Sequence, residues 1–203
     1  TAMTIEERKK KAKEQFGNHQ ATIVENNKSC FVVDWKSKNG SQIYGVRYIL
    51  DIQSGNFIVT GDLGYSIASW HNTVYPAELK QYLANIWYYM EKLQCSSDYF
   101  TYKMDDALED MRYIKEELQV KTKSGNHSSC ELLEDIEYQY GSENAEDLQI
   151  EELLSTELDG EQECLICMIE EWMSKLPNLG KRVSPRVILW AVGYQMACDQ
   201  LGI

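Results

Sequence analysis

At 203 residues, with 43% hydrophobic and 26% charged side chains, the chain is large enough to bury a real core and has ordinary globular composition. Thirteen Tyr and five Trp argue against global disorder. No apolar run approaches the ~20 residues of a membrane span and no charged-then-apolar leader opens the chain, so it reads as soluble and cytoplasmic.

The net charge of −12 is sorted by position: from Asp105 to Glu171, 21 Asp and Glu stand against 4 Lys and Arg, a balance of −17. Residues 1–50 carry +4 and residues 172–203 carry +3. An acidic third of this kind repels free nucleic acid and attracts basic protein surfaces.

Thr4-Ile-Glu-Glu7 is a capping box that opens a basic helix from Glu6 to about Phe16, closed by Gly17. From His19 to Trp70 the hydrophobic period is two. Ala21–Glu25 and Ser29–Trp35 flank the Asn26-Asn27 turn, and Lys38-Asn39-Gly40 makes the next turn. The longest strand is expected over Gln42–Ile52, followed by Phe57–Thr60 and Tyr65–Trp70. Pro76 fits the first turn of one helix running to about Leu93, and Asp105 or Asp106 can cap the next. Lys121–Ser129 reads as a loop, and short helices broken near Gly141 fit the acidic stretch that follows. A strong helix carries Leu165, Met168, Ile169, Trp172 and Leu176, and Ser184-Pro185 starts the last one. Strands first and helices after predict a single α+β domain: an antiparallel meander of about five strands, a helical half packed on one sheet face, and an acidic insert at about 130–163.

Six cysteines are scattered along the chain, and in a reducing compartment such residues serve as small buried apolar groups. Cys164-Leu-Ile-Cys167 has C-x-x-C spacing, but without a second pair or a nearby His, core packing on one helix face is expected. His19 and His127 lie in polar, turn-like surroundings and are expected to face solvent. His71 follows Trp70 at a strand end, near Asp62 and Tyr75, where an acid or base could be placed. Gly61-Asp62-Leu63-Gly64 lacks the lysine and glycine spacing of a phosphate loop and reads as a turn. The carboxylates do not follow EF-hand spacing, and Asp105, Asp106, Glu109 and Asp110 suit a helix N-terminus equally well, so neither metal nor cofactor is expected.

Three blocks resemble a family of small proteins from Gram-positive bacteriophages and mobile elements. The first is Val59-Thr-Gly61-Asp62-Leu63-Gly64 leading to Trp70, the second Trp87-Tyr88-Tyr89 with Cys95-Ser96-Ser97, the third Gly193-Tyr194-Gln195-Met196-Ala197. Leu63 stands where that family has an aromatic, Gln195 where it has a lysine, and the acidic stretch has no counterpart. The resemblance implies an accessory protein of the anti-CRISPR type, a class that disarms host defence, with the host cytoplasm as its place of action.

Charge and resemblance together lead to the expectation of an inhibitor whose acidic surface imitates nucleic acid. Glu131, Glu134, Asp135, Glu137, Glu143, Glu146 and Asp147 would contact the basic channel of a bacterial defence effector, such as a CRISPR nuclease. Neither direct nucleic-acid binding nor a membrane role is expected, and the oligomeric state stays open. The alternative is an enzyme acting on guide RNA or a nucleotide signal, using His71 with Asp62, Tyr75 or Lys80.

Overall fold

The computed structural model describes residues 3–125, 136, 139–141, 154–159 and 162–203. The chain forms two compact units, one from residues 1–100 with 183–203 and one from residues 101–182. Each has its own hydrophobic core, and among the described residues none belongs to both.

In the first unit, Ile5–Gln15 (α1) starts as its capping box dictates, Thr4 Oγ1 accepting from Glu7 N at 3.1 Å and Glu7 Oε2 from Thr4 N at 2.9 Å. Five antiparallel strands follow in sequence order: His19–Asn26 (β1), Cys30–Ser37 (β2), Val46–Asp51 (β3), Asn56–Gly61 (β4) and Ser66–Ser69 (β5). The period-two pattern places Phe31, Val33, Trp35, Val46, Tyr48, Leu50, Phe57 and Val59 on the buried face. The fold is therefore α+β, with a five-stranded antiparallel meander as its sheet.

β3 is shorter than the periodicity of Gln42–Ile52 suggests. Tyr44 adopts φ 57° and Gly45 N donates to Gln42 O at 2.9 Å, so the chain turns there before the strand begins. The cause lies 18 residues on, where Asp62 Oδ2 accepts from Tyr44 N at 2.8 Å and Asp62 N donates to Gly45 O at 2.9 Å. Gly61 sits with φ 126° against the Gly45 carbonyl, where any side chain would collide.

The helix expected from Pro76 to Leu93 is two helices, Pro76–Tyr82 (α2) and Ile86–Lys92 (α3). Asn85 breaks it by becoming an N-cap, its side chain accepting from Tyr88 N at 3.1 Å. A short 3₁₀ turn, Ser96–Tyr99, follows.

The unit closes with Pro185–Leu201 (α6), buried on nearly every side as a central helix must be. It lies on the sheet so closely that Gly193 faces the Tyr48 hydroxyl, with Phe16 Cε2 and Trp35 Cδ1 each 3.2 Å from where a Cβ would stand. Tyr48 Oη donates to Trp190 O at 2.8 Å, and Trp190 Nε1 donates to Leu63 O at 3.1 Å. At the sheet edge, Gln200 accepts from Ala21 N at 3.0 Å and donates to His19 O at 2.9 Å, occupying β1 backbone groups that would otherwise stay open.

Phe100–Tyr102 (β6) leads the chain out of the first unit, and Lys181–Val183 (β7), its partner in a two-stranded ribbon, leads it back. In the second unit, Met104–Ser124 (α4) extends through the first residues of the expected 121–129 loop and ends on Gly125 at φ 64°. Asp105 and Asp106 lie in its first turn, where the helix dipole favours negative charge. Gln162–Lys175 (α5) supplies Ile169 and Trp172 to a core shared with Ala107, Met111, Ile114, Leu118, Ile136 and Tyr140. No helix of the described residues is long and apolar enough to cross a membrane.

Candidate functional site

The seven carboxylates expected to meet a partner, Glu131, Glu134, Asp135, Glu137, Glu143, Glu146 and Asp147, lie outside the described residues, as does His127. Among the described residues, the charge of the second unit falls into two groups.

The first group is used within the unit. Arg182 Nη1 lies 2.9 Å from Asp110 Oδ2 and Nη2 lies 3.0 Å from Asp110 Oδ1, with Asp106 and Glu109 carboxylates at 4.0 and 3.8 Å. Asp110, buried, also accepts from Gly180 N at 2.7 Å. Residues 106, 109 and 110 share a helix face one turn deep, so a single guanidinium reaches all three. Burial acts to lower the Arg182 pKa, but the hydrogen bonds and charge of Asp110 prevail, and the net shift is upward. Gly180, at φ 71°, packs so tightly on Ala107 that a Cβ would lie 2.8 Å from the alanine methyl. This cluster ties the end of the 162–180 segment to α4. The sequence carries a trace of it, a lone Gly180-Lys181-Arg182 after the acidic run, but no local rule pairs positions 72 residues apart.

The second group faces water: Asp105, Glu116, Glu157, Asp159, Glu170 and Glu171 are exposed. Glu116, Glu157 and Asp159 line an open cleft of about 450 Å³ together with Arg112, Lys115, Gln119 and Leu158. Lys115 donates to the Thr156 carbonyl, and Arg112 lies 4.0 Å from Asp159. The cleft is thus partly neutralised by its own cations. Among the described residues no group of His, Cys, Asp and Glu could hold a metal ion.

Of the alternative enzyme site, Asp62 and His71 are not brought together. Asp62 follows β4, whereas Trp70, just before His71, donates from its backbone to Gly55 O at 3.0 Å at the start of that strand. At ~3.3 Å per residue, Asp62 and His71 stand roughly 20 Å apart at opposite ends of β4. His71 is exposed at φ 56° with Nδ1 3.3 Å from Ser69 Oγ, and Tyr75 is exposed ahead of α2. Lys80 is committed to Asp199 at 2.5 Å and to the Ile203 carbonyl at 2.9 Å.

His19, expected at the surface, is buried. Its ring lies edge-on to Phe16, 4.9 Å between centroids, and Nε2 donates to Tyr44 O at 3.1 Å. Burial depresses its pKa, opposed by that hydrogen bond, so the imidazole is held neutral. The reversal comes from Trp35 and Tyr44, which no window around residue 19 contains.

No family model, curated protein or solved structure matches the chain.

Proposed function

We propose that this chain is a binding protein whose acidic unit occupies a basic, nucleic-acid-gripping surface on an effector of a bacterial defence system, with the sheet unit as its scaffold. The observation that carries the proposal is a charge partition along a structural boundary. Residues 101–182 hold 21 carboxylates against 8 cations, a balance of −13, whereas the sheet unit holds 11 against 12. A protein that grips nucleic acid presents Lys and Arg in a row, and a dense acidic competitor can pair with those same cations, an attraction that salt screens. Arg182 removes Asp106, Glu109 and Asp110 from the available charge, which leaves the exposed carboxylates and the seven positions from Glu131 to Asp147 as candidates. The identity of the partner as an anti-CRISPR target rests on the phage-family resemblance.

The test is binding of the full chain to a purified CRISPR effector across a salt series. Affinity is expected to fall steeply from 50 to 200 mM salt, because screening weakens the charge pairs across the interface. Replacing the seven candidates by Gln or Asn should cost at least about 100-fold at low salt. The same number of neutral substitutions on the sheet unit should cost little. Salt-insensitive binding, or full affinity after neutralisation, removes the reading.

A further inference from the structure

α5 turns Leu165, Met168, Ile169 and Trp172 toward the core of its unit, and this leaves Cys164 and Cys167 on the water-facing side, both exposed and both free. The expected core packing of this pair is therefore reversed: the apolar stripe at positions 165, 168, 169 and 172 fills the inner face without them. Cysteine is among the most buried residue types, so two open thiols three positions apart are not explained by packing. Cys198 shows the ordinary case, enclosed in the sheet unit with burial pushing its thiol up to about 11.

We propose that Cys164 and Cys167 form a solvent-open dithiol that exchanges reversibly with small disulfides of the glutathione class and closes a Cys164–Cys167 bridge. The thiolate of one cysteine attacks the glutathione disulfide, forming a mixed disulfide and releasing one glutathione thiolate. The thiolate of the other then attacks the protein-side sulfur, forming the bridge and releasing the second glutathione. Two protein thiols lose two electrons and two protons, and one glutathione disulfide becomes two glutathione thiols.

Geometry sets how stable the bridge is. Helical neighbours at i and i+3 hold their Cβ atoms about 5–6 Å apart, whereas a disulfide needs about 3.5–4.5 Å. Closing it requires the backbone to give by about 1–2 Å. Cys164 is the third residue of α5, in the turn whose N–H groups have no intrahelical acceptor, so distortion there breaks few hydrogen bonds. The bridge accordingly forms with loss of the first helical turn and is easily reduced, the behaviour of a labile rather than a structural disulfide. The inference stands apart from the proposed partner, since it needs only the two sulfurs and the helix that carries them.

The full chain, fully reduced, is incubated with oxidised glutathione, quenched by alkylation and read by intact mass and peptide mapping. The wild type should yield a species carrying two fewer alkyl groups than the reduced chain alkylated alike, with the bridge mapped to Cys164 and Cys167 and reopened by reduced glutathione. Its Cys164–Cys167 segment should clear a transient adduct at least about ten-fold faster than exposed Cys95 does, because the resolving thiol is already in place. Cys164→Ser and Cys167→Ser change only exposed positions and should each retain a stable adduct on the remaining sulfur. Adducts that persist on both sulfurs of the wild type, no reaction at either, or a bridge from either sulfur to a different cysteine would overturn the proposal.

Discussion

The sheet unit is closed by shape, and the helical unit adds a charge cluster to its apolar core. In the first, α6 descends onto β2 and β3 only because residue 193 has no side chain, and its polar groups meet backbone carbonyls: Tyr48 reaches Trp190 O, Trp190 reaches Leu63 O and Tyr194 reaches Pro76 O at 2.9 Å. In the second, a guanidinium on β7 gathers three carboxylates of α4 that would otherwise repel one another. A near-neutral unit needs only scattered ion pairs, such as Lys80–Asp199, beside its contacts. A unit with a balance of −13 must also offset its own repulsion, and Arg182 does so where the acidic side chains are densest on α4.

The difference predicts separable failures. Gly193→Ala drives a methyl into the Tyr48 hydroxyl, with Phe16 and Trp35 already 3.2 Å away, and should destabilise the sheet unit by about 3 kcal/mol. Asp110→Asn keeps the shape but removes the charge that Arg182 and Gly180 N bind, and should cost the helical unit about 2 kcal/mol. Amide hydrogen exchange, resolved by segment, checks both. The first substitution should accelerate exchange in β2, β3 and α6 and spare α4, and the second should do the opposite. Equal loosening of both units by either variant would mean that they unfold as one and would dissolve the comparison.

Where interactions are local, the sequence was enough to place them. The capping box of α1, the alternation of Phe31, Val33 and Trp35, and the Ser184-Pro185 start of α6 are all observed where pattern places them. Asn85 divides the expected Pro76–Leu93 helix by capping α3, which the continuous apolar stripe on both sides does not register. The remaining differences are nonlocal. Asp62 shortens β3 from 18 residues away, Trp35 and Tyr44 bury His19, and Arg182 takes up carboxylates more than 70 positions back. Cys164 and Cys167 face water because Leu165, Met168, Ile169 and Trp172 outcompete them for the inner face, a contest that C-x-x-C spacing does not register. The acidic candidates from Glu131 to Asp147 lie outside the described residues.

Acid should separate the units further. His19 is held neutral, its pKa depressed below the ordinary imidazole value by burial. Its neutral-state contribution is complete above the unfolded pKa, about 6.5, and is lost as pH falls from there toward the folded value. Urea midpoints for the sheet unit should therefore drop between pH 7.5 and 5 with a slope of at most one proton, and His19→Gln should flatten that slope. A slope unchanged in the variant would place the titrating group elsewhere.

The smallest effect gives the sharpest test, because it uses the same chemistry in the other unit. Arg47 Nε and Nη2 meet Asp34 Oδ1 and Oδ2 at 2.7 and 3.0 Å, a fork like that of Arg182 on Asp110. The Arg47 side chain is 45% exposed, against 19% for Arg182. Arg47 holds the Asp34 carboxyl below its usual range, so the pair's contribution is complete above the ordinary carboxylate pKa and is lost as pH falls from there through the depressed folded value. Water and salt screen it, and Arg47→Ala should cost the sheet unit no more than about 0.5 kcal/mol at neutral pH. Arg182→Ala should cost the helical unit several times as much, because it leaves a buried Asp110 without its cation. Equal costs for the two arginines would show that burial does not separate them, and that the acidic unit is not held together by its charge cluster.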